Sequence, residues 1–238
     1  MKEPGSNLAL RVVVGSSATI LGALAIWTLG AEMLSRDPDP FPTDRTAAMR
    51  WSESRVSAQA AATFGLVRGD LWTVAAVAAV APRLVGSSPD ADPAELEPDW
   101  QTARRAARLS PHDPRAWLAL AALEFQRKQR GPATLEALKM SYYTGSADTA
   151  LAPARLWVAS QAGAFADPEL RSLLELEIQR LVSRRPDLKP QLADIVRAAP
   201  KEGGDTFRDL LRQADPRLSD TFDETGSETS RGKAGPSN

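Results

Sequence analysis

The stretch DPELRSLLELEIQRLV, residues 167–182, has the clearest helical pattern in the chain. Its large apolar residues recur at intervals of three or four positions, which places them on one face of an α-helix. Asp167 followed by Pro168 marks the start, because aspartate caps free backbone amides and proline fits the first helical position. Glutamates come early and arginines late, the order that the helix dipole favours. We therefore predict an amphipathic helix that Pro186 ends.

Similar signals on both sides of this helix predict an all-α domain over residues 44–218. Asp113-Pro114 repeats the start signal, and no segment shows the alternation of apolar and polar residues that is typical of strands. Residues 82–98 contain four prolines and four acidic residues, so we expect a loop there. The polar residues 219–238 cannot bury enough apolar surface to become ordered, and we expect a disordered tail. Further helices are predicted over 44–64, 71–81, 188–199 and 205–214, with Asp44 and Asp70 as N-caps.

The N-terminal segment is apolar enough to form a membrane helix. Residues 12–31 contain no formal charge, and Arg11 and Glu32 bracket them. An α-helix of that length rises about 30 Å, which matches the hydrocarbon core of a bilayer. Trp27 lies near the outer end, where indole rings favour the membrane interface. We predict a retained transmembrane anchor, followed by a proline-rich spacer at residues 32–43.

Two other interpretations of this apolar segment stay open. A cleaved signal peptide has a shorter apolar core, and Thr28-Leu29-Gly30 is only a passable cleavage site. A buried helix of a soluble protein is usually amphipathic, whereas this segment is apolar on all sides. Lys2 and Arg11 precede the segment, so the positive-inside rule favours a cytoplasmic N-terminus over residues 1–11. The domain would then lie in the bacterial periplasm, anchored by a single pass through the inner membrane.

The composition excludes several classes of function. The chain has 238 residues with 29 basic and 30 acidic side chains, and its net charge of −1 gives no electrostatic basis for binding nucleic acid. It has no cysteine and one histidine, which excludes disulfides, thiolate metal sites and histidine-rich metal sites. That histidine, His112, lies in a predicted turn without a second catalytic group in reach. We therefore expect no metal, no cofactor, no nucleic-acid partner and no enzymatic activity.

Large and small residues over residues 99–143 follow a pattern that lets paired helices cross closely. One predicted pair has a large residue and small residues at fixed positions: Trp117, Leu120, Ala121, Ala133 and Ala137. Ala103, Ala106 and Pro111 fit the second helix and the end of a preceding pair, in the same register. This stretch resembles the tetratricopeptide repeat (TPR), and the resemblance implies an α-solenoid of TPR-like hairpins. A generic array of α-hairpins is the open alternative, since Phe125 and Gly145 depart from the family pattern.

Two short phrases carry a second resemblance. The sequences RGDLW at 68–72 and KMSYYT at 139–144 are similar to those of single-anchor helical proteins of proteobacteria. Some of these proteins are presumed to assist the production of envelope polysaccharide. The resemblance implies a location in the cell envelope and says nothing about mechanism.

Two groups of side chains are candidates for binding a protein partner. Tyr142 and Tyr143 are consecutive, so they cannot both point into the core, and an exposed tyrosine often anchors an interface. Arg104, Arg105 and Arg108 form a basic cluster on one predicted helix, although such a cluster is more often a solvated face. We expect a membrane-anchored, extracytoplasmic adaptor that binds another envelope protein. The alternatives are an accessory subunit of envelope polysaccharide or export machinery that packs through its membrane helix, and a carbohydrate-active accessory enzyme.

Overall fold

The structure, a computed structural model, describes residues 4–34, 41, 45–85, 92–128 and 131–216. These residues form ten α-helices and two single turns of 3-10 helix, at Ala164–Ala166 and Pro186–Leu188, with no strand among them. The prediction of an all-α fold is confirmed. The α-helices are α1 (Pro4–Leu34), α2 (Arg45–Gly65), α3 (Gly69–Val85), α4 (Pro93–Leu109), α5 (Pro114–Lys128), α6 (Pro132–Gly145), α7 (Ala152–Ala162), α8 (Pro168–Arg184), α9 (Lys189–Ala198) and α10 (Lys201–Ala214).

Successive helices pack against one another along the chain. The most extensive contacts join α2 to α3, α3 to α4, α4 to α5 and α5 to α6. Helices α3, α5, α7 and α9 also contact one another in that order. They therefore form a continuous row, and the arrangement is helix-rich and repeat-like.

The central part of helix α3 is covered by other helices on all sides, which agrees with its apolar sequence. Every residue from Leu71 to Ala81 is buried, and α2, α4 and α5 pack around them. Its small side chains let these neighbours approach closely, as dense packing requires. Four residues of α2 are also buried: Trp51, Ala58, Ala61 and Ala62. Helix α3 is thus a core helix rather than a second membrane span.

The predicted loop at residues 82–98 is wrong at both ends. Helix α3 continues through Pro82, and α4 begins at Pro93. The Asp92 carboxylate accepts a hydrogen bond from the amide of Ala94 at 2.9 Å. Proline is favoured in the first turn of a helix, where Pro93 lies, whereas Pro82 and Pro98 lie inside helices even though proline usually disrupts a helix interior. Counting prolines therefore overestimates the length of the loop. The Asp92-Pro93 pair is the more informative signal for the start of α4.

The other predicted helix starts have mixed outcomes. Asp113 accepts a hydrogen bond from a backbone amide of α5 at 2.9 Å, and Asp167 accepts two from α8 at 3.0 Å each. Both caps are confirmed. Asp70 is not an N-cap, because α3 begins at Gly69 and Asp70 lies in its first turn. Its carboxylate forms an ion pair with Arg68 instead.

The ends of the predicted domains are described only in part. Helix α1 runs from Pro4 to Leu34, beyond both ends of the predicted span at residues 12–31. The first residues of the predicted spacer at 32–43 are therefore helical, and Phe41 within it is buried. The predicted tail at residues 219–238 lies outside the described residues, as does the predicted cap Asp44.

The residues that carry the TPR resemblance differ in how deeply they are buried. Four of its small residues are buried: Ala103, Ala106, Ala121 and Ala137. Trp117 and Leu120 are half-buried against the same core, and Ala133 is exposed. Small residues therefore lie in the closely packed parts of the array, whereas Ala133 does not contribute to the core.

Candidate partner-binding surfaces

Helix α1 is long and apolar enough to cross a membrane. Its apolar run, Leu10–Met33, has 24 residues, and the most apolar window within it has a mean hydropathy of 1.9 and is not buried by the rest of the protein. A core helix of a soluble protein would be covered, so this exposure disfavours that interpretation. A signal sequence meets the same criteria of length and composition.

The C-terminal end of α1 packs against the end of α2. Trp27 Nε1 donates a hydrogen bond to the Phe64 carbonyl at 2.8 Å, and the two rings meet edge to face with centroids 6.2 Å apart. Ala31 is buried, and Glu32 forms an ion pair with Arg68 at 2.9 Å. These contacts fix the position of the apolar helix relative to the domain.

A groove of about 870 Å³ lies between α2 and α4. Phe64 lines it, so the groove adjoins the contact between α1 and α2. Val56 is 81% exposed and Phe64 is 46% exposed, and both are apolar side chains of the groove wall. The remaining lining residues are Arg55, Gln59, Ala60, Thr63, Pro98, Asp99 and Thr102.

A buried carboxylate with two arginine partners lines this α2–α4 groove. Asp99 is 5% exposed. One of its oxygens accepts a hydrogen bond from Arg55 of α2 at 2.7 Å, and the other accepts one from Arg83 of α3 at 2.6 Å. Because two guanidinium groups surround the carboxylate, Asp99 joins three helices and gives the groove no net negative charge of its own. The apolar surface that the groove offers to a ligand comes from Val56 and Phe64.

The structure separates the two consecutive tyrosines. Tyr143 is 57% exposed, whereas Tyr142 is 2% exposed. Consecutive helical residues point in directions about 100° apart, so one side chain reaches solvent and the other enters the core. The prediction of Tyr142 as a surface residue for a partner is wrong. The prediction of Tyr143 as a binding residue remains untested.

A buried polar cluster surrounds Arg155, where α6, α7 and α8 meet. The Arg155 guanidinium is fully buried and lies 3.3 Å from the Glu177 carboxylate. It also donates to the carbonyls of Ser141 at 2.6 Å and Gly145 at 3.0 Å. The Tyr142 hydroxyl donates to the Glu177 carboxylate, and its ring lies 4.7 Å from Arg155 Cζ. These bonds satisfy the buried cation, as a charge removed from water requires.

The buried position of this cluster changes the titration of two of its members. Burial raises the pKa of Glu177 to about 7, against the opposing effect of the Arg155 charge. Burial and the neighbouring Glu177 carboxylate raise the pKa of Tyr142 well above its ordinary value. Perturbed titration often marks functional sites, but buried structural ion pairs also cause it. Here the charged groups are closed to solvent, so the cluster ties three helices together.

Exposed Tyr143 belongs to a charged surface cluster. Its hydroxyl donates to Glu169, and this bond lowers the pKa of that carboxyl group. Lys139 lies 3.0 Å from Asp167 and 3.2 Å from Glu169, and these carboxylates raise the pKa of its ammonium group. The surface around Tyr143 is therefore polar and its charges are paired.

The three predicted arginines of α4 are all exposed: Arg104, Arg105 and Arg108. Arg105 donates to the carbonyl of Leu66 at 3.1 Å, and its Cζ lies 4.2 Å from the Trp72 ring centroid. Arg104 Cζ lies 5.1 Å from the ring centroid of Trp100, one turn earlier on the same helix. Two of the guanidinium groups thus contact aromatic rings of the domain, and their role in binding a partner stays a prediction.

Sequence reasoning did not identify the α2–α4 groove. Part of its wall has a readable signal, because Val56, Ala60 and Phe64 recur at intervals of four residues and so share a face of α2. That face lies away from the buried alanines, so its apolar residues are exposed. The opposite wall contains Pro98, which the sequence placed in a loop rather than on a helix. The groove could not be predicted without the correct start of α4.

Comparisons with known proteins identified no relative of this chain. No family model, curated protein or solved structure matches the chain. Within the described part of the chain, no group of three or more histidine, cysteine, aspartate or glutamate residues is arranged to hold a metal ion. The exposed helix α1 and the adjoining groove are the features on which a functional proposal rests.

Proposed function

We propose that this chain is a membrane-anchored adaptor whose α2–α4 groove binds an amphipathic helix of an envelope protein. One observation carries the proposal. The groove shares Phe64 with the contact that joins the exposed apolar helix α1 to the domain. A partner in the groove would therefore be held next to the point where α1 enters the membrane. Tethering of this kind raises the effective concentration of the binding site near membrane partners.

The chemistry of the groove favours an amphipathic partner. Val56 and Phe64 offer apolar surface, while Gln59 and Thr102 are polar lining residues. A helix laid into a groove buries its apolar face and leaves its polar face to solvent. The ion-paired Asp99 in the lining supplies rigidity, because it fixes the helices that form both walls.

The proposed location is the bacterial periplasm, with α1 as a retained signal anchor in the inner membrane and residues 1–11 in the cytoplasm. Helices α4–α6 are proposed as a TPR-like unit of an α-solenoid. A reporter that is active only outside the cytoplasm, fused after Asn238, is expected to work. A reporter that is active only in the cytoplasm is expected to fail at the same position. The reverse pair of results would contradict the proposed topology.

A photo-crosslinking amino acid at Val56 tests the groove directly in intact membranes. We expect an adduct with one membrane protein that disappears when Ala60→Trp fills the groove. Ala133→Trp is the matched control, because Ala133 is an exposed alanine of α6 outside the groove. Retention of the adduct in the Ala60 variant, with unchanged helicity, would show that the partner binds elsewhere.

A second candidate function is that α1 itself packs into a larger membrane assembly. Gly15 and Gly22 lie seven residues apart, so they share a face of α1, and a Cβ atom at either position would meet no atom within 4 Å. Small residues on one face allow membrane helices to pack closely. Gly15→Leu and Gly22→Leu are expected to release the chain from such an assembly in mild detergent. Val13→Leu, on the opposite face, is the control, and equal behaviour of all variants would exclude this function.

A further inference from the structure

The turn between α2 and α3 exposes three apolar side chains in close succession. Phe64 is 46% exposed, Leu66 is 51% exposed and Val67 is 73% exposed. Leu66 has a φ of 45°, in the left-handed region that residues other than glycine rarely adopt. A conformation of this kind persists only where the surrounding structure holds it in place. The backbone of Leu66 is thus in an unfavourable conformation at a turn that exposes apolar side chains.

Contacts behind the tip hold the turn in this conformation. The Leu66 carbonyl accepts hydrogen bonds from Trp72 Nε1 at 3.0 Å and from Arg105 at 3.1 Å. A Cβ atom on Gly69 would lie 2.6 Å from the Leu109 carbonyl oxygen, so the turn is pressed against the end of α4. The tip is therefore a rigid projection that several elements support.

The position of the turn beside α1 indicates how close the tip lies to the membrane when α1 spans the bilayer. Trp27 binds the Phe64 carbonyl at 2.8 Å, and Glu32 pairs with Arg68 at 2.9 Å. The turn therefore lies alongside residues 27–32 of α1. The apolar run of α1 begins at Leu10, and about 20 residues of helix cross the hydrocarbon core. The outer boundary of the core then falls at about residue 30, at the level of the turn.

Two side chains beside the tip, Arg105 and Trp27, are of types that suit the surface of a bilayer. One cation, Arg105, reaches the turn from α4, whereas Arg68, which follows the apolar residues directly, is paired with Glu32 and Asp70. Arginine side chains near a membrane surface can extend their charged ends to the lipid headgroups while their stems remain in apolar surroundings. Trp27 on α1 is of the residue type that favours the same interfacial layer. The apolar tip, the Arg105 guanidinium and the Trp27 indole therefore lie close together at one place on the molecule.

We infer that the α2–α3 turn inserts Leu66 and Val67 into the lipid interface beside α1, so that the domain has two points of attachment to the membrane. This inference rests on the proposed function, because it requires α1 to cross the bilayer. The ligand of the tip is lipid. Protein in the groove and lipid at the tip would then be bound by neighbouring but distinct surfaces.

The absence of cysteine from the chain permits a direct test with single labelled positions. The full chain is reconstituted, without any other protein, into vesicles that contain nitroxide-labelled lipid. A fluorophore is attached to Val67→Cys, and Ile20→Cys reports insertion of α1. Val56→Cys, 81% exposed on α2, and Leu176→Cys, 50% exposed on α8, are the controls.

We expect shallow nitroxides to quench the label at position 67 several-fold more than the labels at 56 and 176. Deep nitroxides are expected to quench the label at position 20. If position 20 is quenched while position 67 behaves like the controls, α1 spans the bilayer and the inference about the tip is overturned. If position 20 is not quenched, the proposed anchoring fails and the inference fails with it.

Discussion

Replacement of Glu177 by glutamine is expected to remove a pH-dependent part of the stability of the fold. Glu177 is 6% exposed and lies in the buried cluster around Arg155. Burial raises the pKa of Glu177 from 4.5 to about 7. Between these values the folded state keeps a proton that the unfolded state has released. Rising pH therefore favours the unfolded state through this group.

The magnitude follows from the shift. One pKa unit corresponds to about 1.4 kcal/mol, so the free energy of unfolding is expected to fall by about 3 kcal/mol through Glu177 between pH 4 and pH 8. The stabilisation is complete below pH 4.5 and is lost as the pH rises through about 7. Glutamine does not titrate and resembles the protonated acid. Glu177→Gln is therefore expected to match the parent in acid and to exceed it in stability at pH 8.

Urea unfolding of the full chain in detergent micelles, followed by tryptophan fluorescence from pH 4 to pH 8, measures this difference. Glu175→Gln is the matched control. It also removes a carboxylate from α8, but that carboxylate pairs with Arg171 at the surface. The control is expected to keep the pH dependence of the parent. Parallel stability curves for the parent and Glu177→Gln would refute the assignment of a raised pKa to this carboxyl group.

Two further predictions concern close packing between helices. Gly203→Ala is expected to lower the free energy of unfolding by about 1–3 kcal/mol, because its Cβ would lie 2.3 Å from the Ser160 carbonyl oxygen. Gly204→Ala, whose Cβ would lie 3.3 Å from the Val196 carbonyl oxygen, is expected to stay within about 1 kcal/mol of the parent, since alanine favours helix; equal urea midpoints for the two variants would contradict this packing of α10. Ala121→Leu is expected to cost about 1–3 kcal/mol in the same assay, because the fully buried site has no room for a larger side chain, and a parent-like midpoint would show a looser core.

The starts of α5 and α8 were predictable from local signals. Asp113 and Asp167 cap the helices that follow them, and each is followed by the proline that a first turn accepts. Asp92 is the same kind of start, and recognising it would have placed α4 correctly. A cap and a first-turn proline act through nearby backbone groups, so short stretches of sequence contain the necessary information.

The polar cluster and the groove depend on contacts that short stretches do not contain. Arg155 and Glu177 are 22 residues apart and lie on different helices. The sequence does contain a hint, because Arg155 is an isolated cation between the apolar residues Ala154 and Leu156. Its partner, however, is one of several glutamates on α8. Tyr142 is buried beside the Arg155–Glu177 pair and donates to Glu177. Which of the two tyrosines is buried was therefore not predictable before this ion pair was known.

The contact of Trp27 and Phe64 has a consequence for how the domain would face its surroundings. In the proposed anchored state, the C-terminal end of α1 is itself packed against the end of α2, so this contact holds the domain at a set orientation to the membrane helix. The direction in which the groove faces, measured around the membrane normal, then depends on which side of α1 Trp27 projects from. Inserting one residue into α1 before Trp27 would rotate the docking contact by about 100° relative to the membrane-embedded part. The number of residues in α1 before Trp27 therefore sets the direction in which the groove faces, as well as its distance from the membrane.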